Sequence, residues 1–243
     1  MKIAGRNALI TGGAHRVGRA LTLALAAAGA DVFIHYNSSS GPAAETAAEV
    51  HELGRRAAIG AANLSDPTSA APLLDAATAA LGPISILVNS ASGFPTDALA
   101  DVTLDSLHAA HDLTLATPVL LTQAFAAALP AAETGVVLNV TDVRTATPYR
   151  THFSYIIAKG GLDTFTKAAA VALAPRVRVN AVALGVILPP PGEDAAFAQR
   201  LADDLPMQRP GGTDPVAEAA LMLISNDFVT GEIVRVDGGQ HLV

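Results

Sequence analysis

The sequence predicts one α/β domain, residues 1–243, built on a doubly wound parallel sheet of about seven strands with helices on both faces. Three observations predict it. Short apolar runs alternate along the chain with longer Ala-rich stretches of helical spacing, the β-α-β-α order of a parallel sheet covered on both sides. Several short runs are rich in Val and Ile without polar alternation, as strands buried on both faces are. At 243 residues a single core buries most of its apolar surface without a disulfide or metal staple.

The first strand is expected at 8–10. The helix at 17–28 that follows its turn carries the stripe Val17, Ala20, Leu21, Ala24 and Ala28 and is closed by Gly29. Strands at 32–34 and 57–59 flank a helix at 42–53. Asp66-Pro67 signals a helix start, giving 68–81. A strand at 84–88 precedes a long helical stretch at 104–129, and a strand at 136–140 precedes a helix at 152–173. The sixth strand, 177–182, is followed by the tract GVILPPPGED at 185–194, whose three consecutive prolines exclude helix and central strand. A helix at 215–224 and a strand at 233–236 close the chain. Ligands of such sheets bind at the carboxyl ends of the strands. The loop near 185–205 therefore reads either as a substrate cover or as an inert surface loop.

Composition narrows the function. There is no Cys, which excludes a disulfide framework, a zinc–thiolate site, an iron–sulfur cluster and cysteine catalysis. A net charge of −7 argues against a nucleic-acid partner. No apolar stretch approaches the roughly 18 residues of a membrane span, and the start MKIAGRNALITGG lacks the apolar core of a signal peptide. A cytoplasmic protein without a membrane partner is the expectation. His108 and His111 lie one helical turn apart with no third ligand, so no metal is expected and a solvated helix face is the reading.

Strand 8–10 runs into Thr11-Gly12-Gly13-Ala14-His15-Arg16-Val17-Gly18 and then a helix. A strand, a glycine turn and a helix start form a Rossmann-like dinucleotide cradle: glycine lets the backbone approach the pyrophosphate, and the helix end offers free N–H groups. The segment resembles the TGxxxGxG turn of the short-chain dehydrogenase/reductase family, matched at Thr11, Gly12 and Gly18. Arg16 stands where the middle glycine is usual. That is the TGxxxRxG pattern of the pteridine reductase branch, in which the arginine lies near cofactor phosphates and substrate. The resemblance implies cofactor contacts from Gly12, His15, Arg16, Val17 and Gly18. A guanidinium beside a pyrophosphate is favourable.

No acid follows the second strand, where an NAD site places one against the ribose 2′-hydroxyl. Tyr36, Asn37, Ser38 and Ser39 stand there instead, which favours NADPH. The segment IHYNSSS also resembles the HYxxS of pteridine reductases; read by itself it is a polar turn. Asn63-Leu64 occupies the family's Asp-Val or Asp-Leu position beside the adenine.

Tyr155 and Lys159 form a YxxxK on a predicted helix, where i and i+4 share a face. A nearby ammonium is expected to lower the phenol's pKa. The motif's place after the fifth strand and before the sixth is the family's. The family's catalytic Ser, thirteen positions before the tyrosine, is Asp142 here. Pteridine reductases resemble the chain at that point too, pairing an Asp with the tyrosine. Asp142 is then either a proton donor for C=N reduction or a decayed serine. Asn89-Ser90-Ala91-Ser92-Gly93-Phe94 resembles the NNAS-and-Phe segment of the same branch. It implies cofactor contacts from Asn89, Ser90 and Ala91, substrate contacts from Ser92 and Phe94, and Phe94 stacking on a flat pterin. Gly185 and Ile187, in the Leu184-Gly185 version of the family's Pro-Gly segment, complete the implied cofactor set. Thr114 replaces a family Asn whose main-chain carbonyl holds a relay water.

The resemblance spans about residues 5 to 240, through the closing Thr230-Gly231 and Val236-Asp237-Gly238-Gly239. It implies an NADPH-dependent reductase of a pterin or dihydrofolate-like substrate, working as a homotetramer, with Asp142, Tyr155 and Lys159 catalytic and Arg16, Ser92, Phe94, Asp142 and Tyr155 holding the substrate. Two other readings stay open. One is an NADPH-dependent carbonyl or 3-oxoacyl-thioester reductase. The other is a non-catalytic NADPH-binding sensor, which would need neither Tyr155 nor Lys159.

Overall fold

Residues 1–190 and 192–243 are described by the computed structural model of the chain. Each predicted apolar run becomes a strand. The elements are β1 (Asn7–Ile10), α1 (Arg16–Ala27), β2 (Asp31–Tyr36), α2 (Ser40–Glu52), β3 (Ala57–Ala61), α3 (Ala70–Leu81), β4 (Ile86–Asn89), α4 (Leu104–His111), α5 (Thr117–Ala128), β5 (Gly135–Asp142), α6 (Phe153–Leu173), β6 (Val177–Leu184), α7 (Ala195–Ala202), α8 (Asp214–Ser225) and β7 (Ile233–Val236). The seven strands form one parallel sheet in the order β3-β2-β1-β4-β5-β6-β7. The chain reverses its winding between β1 and β4, and this opens a crevice at the carboxyl ends of those strands.

Successive strand residues face opposite sides, so the sheet feeds two cores. Ala8, Ile10, Val32, Ile34 and Val88 join Leu21, Leu25, Val50 and Leu223 on one face. Leu9, Phe33, Leu87, Val137 and Val179 join Leu73, Leu74, Leu121 and Phe125 on the other. Asp31, at the amino end of β2, is bound there by Arg55 and Arg56 at 2.7 and 2.6 Å. It therefore lies at the opposite end of β2 from Tyr36 and the polar turn.

The structure departs from the pattern reading in two places that matter for the site. The expected helix 104–129 is divided by a π-helical turn at Asp112–Ala116, centred on buried Thr114. Pro118 accounts for it: the ring has no N–H to give the carbonyl four residues back, which is that of Thr114. The stretch near 185–205 is not all loop. It contains α7, whose first turn is capped by Asp194, the side chain accepting from Phe197 N–H at 2.8 Å. Pro191 of the proline run lies outside the described residues. His108 and His111 are exposed on α4, and among the described residues no cluster suited to a metal is found. Among them, too, no helix is long and apolar enough to cross a membrane.

Candidate active site

The Gly turn between β1 and α1 lies at the mouth of a cleft of about 1070 Å³. Thr11 ties the turn to the segment after β4: its Oγ1 accepts from the N–H groups of Ser90 and Ala91 at 2.9 and 3.0 Å. Gly18 is where side-chain absence is obligatory, since a Cβ there would overlap the carbonyl oxygen of Gly12. Gly18→Ala should therefore push the turn outward. The expected result is a loss of about 1–3 kcal/mol in stability and of measurable dinucleotide binding, read by thermal unfolding and fluorescence titration. Wild-type binding by that variant would refute this account of the turn. Arg16 keeps the positive φ (51°) that the family's glycine would take without strain. Its guanidinium crosses the cleft and donates to Pro189 O at 2.7 Å.

Gly12, His15, Arg16, Val17 and Gly18 line one end of the cleft together with Tyr36, Asn37, Ser38, Ser39, Asn63 and Leu64. Ser90, Ala91, Ser92, Phe94, Gly185 and Ile187 line its middle, with Asp142, Tyr155 and Lys159 beyond. This set fits a dinucleotide: a glycine turn at a helix start, an uncharged polar turn after β2, and a buried ammonium near the far end. Asn89 is the exception. It is buried behind the wall, and its Nδ2 donates to Asn139 Oδ1 at 2.9 Å. Asn139 in turn donates to Thr166 Oγ1 at 2.8 Å, so Asn89 helps anchor α6 to the sheet.

Asp142 ends β5, and the first turns of α6 bring Tyr155 and Lys159 against it. Tyr155 O–H donates to Asp142 Oδ2 at 3.0 Å, and Arg144 N–H donates to Asp142 Oδ1 at 2.8 Å. Lys159 Nζ donates to Val140 O at 2.6 Å and lies 5.7 Å from the Tyr155 ring centroid. All three residues are buried. Burial raises the Asp142 carboxyl, and hydrogen bonds from Arg144 and Tyr155 together with the Lys159 charge only partly offset it. Burial lowers the Lys159 ammonium to about 8 against the pull of Asp142 and Asp163. Tyr155 corrects a sequence expectation: its phenol is raised well above the usual range, first by burial and then by the Asp142 carboxylate, with Tyr149 adding to it. The lysine four residues on does not overcome those effects. The phenol thus keeps its proton at neutral pH, the state in which it can donate one.

Phe94 is 43% exposed and sits in an aromatic group that sequence reading missed in part. His152 stacks on it at 3.8 Å and 18°, and Tyr155 and Tyr149 meet it edgewise at 4.9 and 6.0 Å. His152 adopts the left-handed conformation at φ 59° just before α6, and its Nδ1 lies 2.7 Å from Pro95 O. Tyr149 lies under the Arg144 guanidinium, 5.6 Å from the ring centroid. Phe197 and Leu201 of α7 also line the cleft. The spacing of Tyr149 and His152, six and three residues before Tyr155, was the available signal.

A family model described as Enoyl-(Acyl carrier protein) reductase matches residues 12–241. The chain belongs to the short-chain dehydrogenase/reductase family. It is 36% identical over 246 residues to Uncharacterized oxidoreductase MT0954 of Mycobacterium tuberculosis, covering 96% of this chain and 90% of that protein. It is 31% identical to L-xylulose reductase of Bos taurus, covering 98% of both. Among solved structures, FolM Alternative dihydrofolate reductase 1 from Brucella canis, complexed with NADP, superposes with a TM-score of 0.95 at 33% identity, covering all of this chain and 96% of that one. The chain is therefore an oxidoreductase of this family.

Proposed function

We propose that the protein is an NADPH-dependent reductase that reduces a C=N bond of a pterin or dihydrofolate-like substrate. The observation that carries this reading is the buried Asp142–Tyr155 pair, 3.0 Å apart with both groups held toward their protonated forms, beside the exposed ring of Phe94. When bound, the reduced nicotinamide supplies the hydride. Tyr155 gives its phenolic proton to the product nitrogen, and Asp142 returns a proton to the phenol. Lys159 offsets the negative charge left on that pair. Phe94 offers a flat face to a planar heterocycle, with Arg16 and Ser92 at the rim, and α7 covers the substrate with Phe197 and Leu201. The NADP complex of the similar dihydrofolate reductase supports the cofactor and the substrate class.

The polar turn after β2 assigns the cofactor's phosphate. Tyr36, Asn37, Ser38 and Ser39 line the cleft without an acid, so NADPH is expected to bind tighter than NADH by about tenfold or more, the value of a charge-assisted hydrogen bond. Equal affinities by titration would reject the assignment.

The test of the substrate is Asp142→Ser, assayed as NADPH oxidation with a pterin panel and a ketone panel. Pterin reduction should fall about a hundredfold while NADPH affinity holds, because Asp142 lies away from the phosphate turn. If the variant keeps full pterin turnover, or the parent reduces ketones and no pterin, the carbonyl reductase reading replaces this one. That second reading has support in the similarity to L-xylulose reductase. We further propose a homotetramer, for which the exposed Ile157 and Val171 of α6 and the 98% exposed Phe228 offer apolar contact surface. A cytoplasmic location, where NADPH is supplied, goes with the cysteine-free sequence.

A further inference from the structure

His35, in β2, is a buried ionisable residue that the chemistry above does not use; its exposure is 2%. Gly12 N–H donates to its Nδ1 at 3.0 Å, and its Nε2 lies 3.0 Å from the carbonyl oxygen of Ala62. An amide N–H facing Nδ1 requires a lone pair there, and a carbonyl facing Nε2 requires a proton there. Together the two contacts select the neutral Nε2–H tautomer. The backbone of the same residue takes part, its carbonyl accepting from Gly13 N–H at 3.0 Å. One imidazole thus bridges the glycine turn that opens the cleft and the end of β3, immediately before Asn63 and Leu64.

We propose that His35 is a positioning residue for the dinucleotide: its neutral imidazole fixes the spacing between the phosphate turn and the adenine-side wall, and cofactor affinity depends on that tautomer. The proposal rests on the NADPH reading, since what it positions is that cofactor's cradle. A proton on Nδ1 would face the Gly12 N–H, and the turn would have to move. The segments that meet the ring, 12–13 and 60–62, carry no ionisable side chain, and the core on its face of the sheet, with Phe33 and Leu64, is apolar. Burial holds the imidazole below its ordinary value, with the Ala62 carbonyl partly offsetting it. The sign follows. His35's contribution to affinity is present at neutral pH and is lost as pH falls through that lowered value.

The test uses the full chain, NADPH titration by cofactor fluorescence across that pH range, and nitrogen NMR of the imidazole. His35→Asn puts an amide oxygen where Nδ1 sits and keeps an acceptor for Gly12. His35→Gln keeps a donor for Ala62 and abandons Gly12. Neither titrates. At neutral pH His35→Gln should lose about tenfold in affinity, the size of one buried hydrogen bond, and His35→Asn should recover most of it. The parent should lose affinity on acidification more steeply than His35→Asn. The 2′-phosphate of NADPH titrates near pH 6, equally for every protein, so the difference between proteins is the readout. In the parent, NMR should show the Nε2–H tautomer without cofactor, and added NADPH should shift the imidazole titration to lower pH. An Nδ1–H or cationic ring at neutral pH, no NADPH-induced shift, identical acid limbs, or unchanged affinity in His35→Gln would each overturn the proposal. A parent that binds neither NADPH nor NADH overturns the cofactor reading itself, a failure the tautomer spectrum separates from a failure at His35.

Discussion

Tyr155→Phe is expected to lower turnover about a thousandfold, within the range of a lost general acid, while NADPH affinity stays within a few-fold. The variant keeps the ring, and with it the edgewise contact to Phe94 at 4.9 Å. What it removes is the O–H that donates to Asp142 at 3.0 Å. Because burial and the Asp142 carboxylate hold that proton on, the phenol is the loaded donor at neutral pH. Asp142 also loses its hydrogen-bond donor on Oδ2, which raises its carboxyl further and leaves it without the phenol as a route to the substrate. Steady-state kinetics with a parallel cofactor titration check this. Retention of more than about a tenth of the parent rate would remove Tyr155 from the acid role.

Lys159→Met should cost about a hundredfold or more in turnover, the scale of a removed charge stabiliser in a buried site, without costing stability at neutral pH. The lysine is buried, and its ammonium is lowered from 10.5 to about 8. That fall corresponds to about 3 kcal/mol against the folded state, an upper bound that the lost bond to Val140 O reduces by about 1–3 kcal/mol. The pH dependence has a definite sign. Below about 8 both folded and unfolded chains carry the proton, so the burial cost is present in full. Between about 8 and 10.5 the unfolded chain binds more protons, and the parent gains stability as pH rises. Any thermal advantage of Lys159→Met should therefore be largest at neutral pH and shrink above 8. Parent turnover should decline over the same range as the ammonium discharges. A variant markedly less stable than the parent at neutral pH, or as active, would contradict the role.

The elements that position the site were legible wherever local pattern and burial agree. Val- and Ile-rich runs such as β5 and β6 are strands because both their faces are covered, and Gly18 is readable because only glycine fits a helix entering that close to the turn. The π-helical turn at Asp112–Ala116 was latent in Pro118, which deprives Thr114 of its donor. A helical period alone does not register one missing bond. α7 follows prolines that exclude helix, and its local signal is the single cap Asp194.

Sequence by itself determined the seven strands, the glycine turn, the absence of an acid after β2, and the Tyr155–Lys159 spacing. Each of these depends on residues within one or two turns of each other. Tertiary structure alone decided the direction of the Tyr155 shift, because burial and a carboxylate from another element outweigh a lysine one helical turn away. It alone placed His152 on the face of Phe94, and joined Arg16 to Pro189 across 173 residues of chain. It also placed Asn89 behind the cleft rather than in it and gave His35 its tautomer. These are contacts between distant segments and desolvation by whole layers of the fold, and neither is carried by a local pattern.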